Sequence, residues 1–212
     1  MELIEKRVDE HLAELARHDD PLLNRLEARA AQTGFPIIGP VAGRFCYQVA
    51  RMIGARRVFE LGSGFGYSTL WFARAVQENG GGKVYHTVWD EGLSSEARSF
   101  IAEAGYESIV TFTVAEAVET LKQTEGQFDL IFNDIDKDGY PDSIPLIKDK
   151  LSVGGALIID NMLWNGRIFD PRDRSGDTEG IRRATRLLFD DPDFVSSLIP
   201  LRDGVILALR VT

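Results

Sequence analysis

The sequence has a single cysteine, Cys46, in 212 residues. One thiol closes no intramolecular disulfide and builds no multi-cysteine metal site, and its apolar neighbours make Cys46 a small core residue rather than a nucleophile. That usage fits a reducing compartment. Also lacking is any uninterrupted apolar run near the roughly 20 residues that a bilayer demands. The opening stretch, MELIEKRVDEHLAELARHDD, is charged and amphipathic, without the apolar centre of a signal peptide. The expectation is a cytoplasmic protein with no membrane partner. Positive charge is short as well: 24 Lys and Arg against 33 Asp and Glu leave a formal charge of −9. A nucleic-acid backbone is therefore not expected as partner, because such binding depends on clustered cations replacing condensed counterions. The densest basic spot, GIRRATR (180–186), reads as the solvated face of a helix, with an anion site as the alternative. No repeat, low-complexity tract or long linker divides the chain, and its 44% hydrophobic content suffices for one core, so one domain is expected over 1–212.

What is present falls into two parts. Residues 1–53 carry helical spacing, with Leu3, Val8, Leu12 and Leu15 on one side and Leu22, Leu23 and Leu26 after Pro21. TGFPIIGP (33–40) interrupts this as a loop. From 57 onward the rhythm changes. RVFEL (57–61), KVYHTV (83–88), IVTFTV (109–114), FDLIFN (128–133) and GALIID (155–160) are short apolar, β-branched runs separated by helix-length segments. Alternation of this kind predicts a mostly parallel sheet with helices on both faces. A helix is expected over about 178–189. FVSSLIPL (194–201) and GVILALR (204–210) then follow closely, a spacing that favours a hairpin and so one antiparallel strand at or near the sheet edge.

FELGSGFGYSTL (59–70) joins the first strand to a helix. Gly62, Gly64 and Gly66 permit positive φ and a close ligand approach, while Ser68 and Thr69 open a helix whose free N–H groups favour an anion. Position 67 is tyrosine, which departs from the dehydrogenase pattern G-x-G-x-x-G, and no Walker-type Gly-Lys-Ser/Thr is present. Glu60 beside the turn suits a cationic ligand group better than a pyrophosphate. The alternative is that the glycines only make a tight turn.

LIFNDIDKDGY (130–140) sets Asp134, Asp136, Asp138 and Lys137 at the mouth of an apolar strand. Asp134 ends the fourth strand and Asp160 the fifth, so both carboxylates emerge on the carboxyl edge of the sheet, where open α/β sheets bind ligands. Paired carboxylates repel unless one is protonated or a cation bridges them, and Asn161 adds a carbonyl oxygen. Such hard oxygen ligands suit Mg²⁺, with Mn²⁺ or Ca²⁺ as alternatives; capping of helices is the plain reading of the same aspartates. Lys137 lies within reach as a general base or else as an exposed counter-charge. Asp136 is expected to be at most a supporting contact and Asp138 a solvated turn residue. Trp164, Tyr140 and the loop around Phe35 and Pro36 are candidates for the walls of an aromatic site, the loop as a lid, with core packing the alternative for Trp164.

Taken together, FELGSGFGYSTL, FDLIFNDIDKDGY and GGALIIDNMLWNGRI resemble the cation-dependent O-methyltransferases related to catechol and caffeoyl-CoA O-methyltransferases, over most of the chain from about Gly43. The resemblance implies a class I methyltransferase, Rossmann-like fold with a seven-stranded sheet and C-terminal antiparallel hairpin. It implies S-adenosylmethionine as donor, a divalent cation, a small aromatic acceptor with vicinal hydroxyls, and a homodimer. Asp134, Asp160 and Asn161 match its metal ligands and Lys137 its base. Glu60, Gly62, Ser63, Gly64 and Ser68 fall at the methionine end of the donor, with Asp134 beside them, and Ala115 with Glu116 falls at the adenine. Two positions depart from the family. Val88 stands where an acidic residue usually binds the ribose, leaving Asp90 or Glu91 to take over, and Thr185 stands where relatives often have asparagine. The rivals are a nicotinamide-dependent dehydrogenase, disfavoured by Tyr67, and a non-catalytic S-adenosylmethionine-binding or partner-binding module.

Overall fold

The computed structural model describes residues 6–212; Leu3 of the first apolar stripe lies outside the described residues. Three helices come first, α1 (Lys6–Leu15), α2 (Pro21–Thr33) and α3 (Gly39–Met52). Asp20 caps α2 by accepting from the N–H groups of Leu22 and Leu23 at 2.9 and 3.2 Å, Pro21 fills its first turn, and Gly34 at φ 68 ends it. Leu22, Leu23 and Leu26 are buried, as their spacing predicts. The stripe on α1 is not: Val8 and Leu15 are 46% and 61% exposed. This helix is secured by its end instead, where the Arg44 guanidinium donates to the carbonyls of Leu15, Ala16 and Arg17.

The sheet strands are β1 (Arg57–Leu61), β2 (Lys83–Val88), β3 (Val110–Val114), β4 (Phe128–Asn133), β5 (Leu151–Ile159), β6 (Phe194–Ile199) and β7 (Val205–Arg210). Between them run α4 (Tyr67–Glu78), α5 (Glu91–Glu103), α6 (Ala117–Gln123), α7 (Tyr140–Lys150) and α8 (Gly176–Asp190). The order is β3-β2-β1-β4-β5-β7-β6, parallel except for β7, which runs antiparallel to both β5 and β6. The expected hairpin is therefore present, with its antiparallel strand one place in from the edge. β5 starts earlier than its apolar run suggests, because Leu151 pairs with Phe128 before a register shift carries the ladder to Leu130 and Ala156.

Alternation along the strands divides the core. Leu130 and Phe132 of β4 face a cluster with α2, α3 and α4, while Ile131 faces a second with α6, α7 and α8. Both faces being covered, the parallel strands are mostly apolar, with Glu60, His86, Thr87 and Asn133 as buried polar exceptions. Strand order reverses between β1 and β4, so a crevice opens at the carboxyl ends of those two strands. Among the described residues no helix is long and apolar enough to cross a membrane.

Candidate functional site

A cavity of about 670 Å³ lies at that reversal point, within the range of small-molecule sites. Its β1 end is the glycine turn. Gly62, Gly64 and Gly66 hold φ of 86, 51 and 92, and a Cβ on Gly62 would sit 2.5 Å from the Asp134 carbonyl. Ser63 ties the turn to β2: its N–H donates to Thr87 O at 2.9 Å and its Oγ accepts from Thr87 N–H at 3.0 Å. Gly62, Ser63, Gly64 and Ser68 all line the cavity, as do Ala115 and Asp90. The Asp90 carboxylate also accepts from Leu93 N–H at 2.8 Å and caps α5. Val88 lines the cavity at the end of β2, and the neighbouring Trp89 stands 70% exposed on its rim.

Two expected donor contacts lie elsewhere. Glu116 is not on the cavity wall; its carboxylate caps α6 by accepting from Val118 and Glu119 N–H. Glu60 is fully buried behind the glycine turn. Thr69 Oγ1 donates to Glu60 Oε2 at 2.5 Å and, having spent its proton there, accepts from His86 Nδ1 at 3.0 Å. Burial pushes the Glu60 carboxyl up to about 7 against the pull of the Ser68, Thr69 and Ser63 hydroxyls. Burial holds the His86 ring down to about 3. An unfolded chain takes a proton on histidine near 6.5, the native ring does not until far lower, so acidification favours the unfolded chain through this group. Glu60 acts oppositely, keeping its proton in the native state up to about 7. Replacing His86 with Gln should therefore leave a variant that gains on wild type, by up to about 1.4 kcal/mol per pH unit, as pH falls below about 6.5. Urea unfolding of both proteins at pH 7, 6 and 5 reads the difference; a pH-independent gap would overturn the assignment.

The β4 and β5 ends form the other half of the cavity. Asp134 N–H donates to Leu61 O at 2.8 Å, which fixes the end of β4 against β1. Its carboxylate accepts from Lys137 Nζ at 2.7 Å, and the same ammonium donates to Ile135 O at 3.1 Å. Burial, reinforced by the charge of Asp160 and opposed by Lys137, pushes Asp134 up to about 6. Asp160 is 3% exposed; its Oδ1 is buried with no partner, and its Oδ2 lies 3.4 Å from Arg202. Among the described residues no three His, Cys, Asp or Glu side chains gather as a ligand cluster. The set expected here is two carboxylates and the amide of Asn161, all on the cavity wall. An orphaned carboxylate oxygen and a second carboxyl destabilised by its neighbour's charge are what a hard cation would relieve, so these residues fit such an ion.

Gly180 of α8 lets this half form. A Cβ there would meet Lys137 O at 2.2 Å, so the glycine admits the 137–139 turn against the helix. Tyr140, expected as a wall, is fully buried and donates from its hydroxyl to Asp160 O at 3.0 Å, supporting the strand end from behind. Trp164 lines the cavity and also packs on the second core cluster. Asp136 is exposed on the cavity wall and Asp138 exposed off it. Thr185 donates to Ile181 O of its own helix and is not part of the cavity. Arg182, read as part of a solvated face, instead donates to the carbonyls of Ile168, Asp170 and Asp173, pinning the stretch before α8.

Sequence reading missed Arg202, Asp203 and Asp177, all of which line the cavity. The β6–β7 turn is stitched to the segment after β5: Met162 and Leu163 N–H donate to Gly204 O and Asp203 O, and Asn165 N–H to Asp203 Oδ1. Among the described residues the non-glycine positions with positive φ are Asn161, Trp164, Asn165 and Arg202, all in this corner. Strain of this kind concentrates where a surrounding framework enforces it, commonly at ligand sites.

The chain is similar to known proteins over most of its length. The O-methyltransferase family model matches residues 13–211. A catechol O-methyltransferase of Niastella koreensis is 31% identical over 188 residues, covering 85% of this chain and 84% of that protein. Among solved structures, an O-methyltransferase from Bacillus cereus in complex with S-adenosylhomocysteine is similar at TM-score 0.87 and 27% identity, covering 96% of this chain and 97% of that one. The O-methyltransferase TomG of Streptomyces achromogenes, solved with S-adenosylmethionine, gives TM-score 0.86 and 26% identity over 97% and 96% of the two chains.

Proposed function

We propose, for a chain that belongs to the O-methyltransferase family and is an S-adenosylmethionine-dependent O-methyltransferase, that the acceptor is a catechol-like vicinal diol and that transfer depends on a divalent cation. The observation that carries this reading is the convergence of Asp134 and Asp160 on one cavity, with Asp160 Oδ1 buried and unpartnered. The similarity to the Niastella koreensis catechol O-methyltransferase supports it.

Within this reading the glycine turn and the start of α4 receive the donor's methionine end, their backbone N–H groups facing its carboxylate. Val88, Trp89 and Ala115 lie along the cavity wall toward the adenosine end. Asp134, Asp160 and Asn161 would hold the cation, most naturally Mg²⁺, which supplies Lewis acidity that favours the ionised form of an acceptor hydroxyl. Lys137 Nζ, held beside Asp134 Oδ1 and Ile135 O, accepts that hydroxyl's proton as the neutral amine, having first released one of its own to solvent. Phe35, Pro36 and Trp164 offer apolar surface to an aromatic ring. Holding the oxygen in line with the donor's methyl group then accounts for much of the rate, since orientation replaces a bimolecular encounter.

The test measures S-adenosylhomocysteine release from catechols and from matched mono-hydroxy analogues, with Mg²⁺ and again with excess EDTA. Turnover is expected only for vicinal diols with metal. Equal turnover in EDTA would overturn the cation, and equal turnover of mono-hydroxy compounds would overturn the diol.

A further inference from the structure

Arg202 joins three distant parts of the chain. It sits in the β6–β7 turn at φ 52, a left-handed conformation that ordinary side chains adopt at a cost. Its guanidinium reaches Asp160 Oδ2 through Nη1 at 3.4 Å and donates from Nη2 to Ile37 O at 3.0 Å. One contact is with a carboxylate of the proposed cation site. The other is with the loop between α2 and α3, residues 34–38, of which Phe35, Pro36, Ile37 and Ile38 line the cavity. The Arg202 side chain is 31% exposed and that of Asp160 only 4%, so the carboxylate has little water to fall back on.

We propose that Arg202 is a displaceable counter-cation of Asp160, and that its displacement links occupancy of the cation site to the position of the 34–38 loop. The inference rests on the cation reading above. In the structure Asp160 uses one oxygen for the guanidinium and leaves the other unpartnered. A divalent ion at Asp160 places a second positive charge beside the guanidinium, and the two repel. The Asp160 contact, at 3.4 Å, is the longer of the two that Arg202 makes, and is the one that yields. Once it yields, the side chain that anchors Ile37 O loses its second attachment, and the loop loses a fixed anchor. Coupling of this kind is reciprocal: whatever holds the loop on Arg202 weakens the cation, and the cation loosens the loop. A purely structural strap would tie hairpin to loop just as well but would leave cation affinity untouched.

The experiment uses the full chain saturated with S-adenosylhomocysteine. Mn²⁺ is titrated while free ion is counted by electron paramagnetic resonance, and hydrogen exchange is followed for the amides of residues 34–38. Arg202→Gln is expected to bind Mn²⁺ about three- to tenfold more tightly than wild type, and Arg202→Lys, which keeps the charge, to retain the weaker affinity. Saturating Mn²⁺ should speed exchange in the wild-type loop and leave the already fast Arg202→Gln loop unchanged. Equal Mn²⁺ affinity in wild type and Arg202→Gln overturns the proposal while leaving the cation site standing. Absence of Mn²⁺ binding in both overturns the cation site and the proposal together.

Discussion

Lys137→Met is expected to lower kcat by about 10²- to 10⁴-fold, the usual contribution of a positioned general base, with donor affinity little changed. Methionine keeps most of the apolar stem and removes the nitrogen, which lies 5.2 Å from the Tyr140 ring centre. Lys137→Arg separates the two roles a lysine can play. A guanidinium preserves the ion pair with Asp134 but does not give up its proton at working pH, so a base is lost while a counter-charge remains. Both variants should therefore be impaired to a similar degree. Single-turnover rates with saturating donor and metal make the comparison, and an arginine variant within a few fold of wild type would show that Lys137 acts through its charge and not as a base.

Gly62→Ala carries the second large effect, this time on the donor. The residue holds φ 86, and an added Cβ would sit 2.5 Å from the Asp134 carbonyl oxygen and 3.0 Å from its carbon. Neither is the end of a flexible side chain. Left-handed backbone alone costs an alanine about 1 to 2 kcal/mol, and the clash forces β1's turn away from the end of β4. Both the donor-binding turn and Asp134 would shift, and a displacement of about 1 Å can cost about 10²-fold in turnover. Calorimetric titration with S-adenosylhomocysteine should show at least about tenfold weaker binding, alongside a lowered midpoint of thermal unfolding. Donor affinity equal to wild type would mean that the turn tolerates the methyl group and that the close approach to Asp134 has no role in binding.

The parallel sheet was legible because its strands are short apolar runs with helix-length spacers, and the limits of β1, β2 and β4 fall where those runs do. The beginning of β5 was not, since Leu151 pairs with Phe128 ahead of a register shift, before Ala156 pairs with Leu130, that only the neighbouring strand reveals. The stripe on α1 failed for a related reason: spacing says which residues share a face, not whether anything covers it. In the site, Asp134, Lys137, Asp160 and Asn161 could be placed together because strand ends meet at a known edge of such a sheet. Glu60 and Glu116 show the limit of that logic. Both sit beside cavity-lining turns in sequence, yet one turns inward to Thr69 and the other caps a helix. Arg202, Asp203 and Asp177 are scattered among polar residues with no motif of their own. One signal did exist for the first two. A hairpin strand antiparallel to β5 must begin beside the place where β5 ends, so its turn residues necessarily arrive next to Asp160.

That placement of the β6–β7 turn has a bearing on how the protein becomes active during synthesis. The glycine turn is tied to β2 through Ser63 and Thr87, 24 positions apart, whereas Arg202 contacts partners 42 and 165 positions away. Such long-range closures come late because their loop entropy must be met before they return any contact. By this argument the glycine-turn side of the cavity is expected to form before the corner that Arg202 closes.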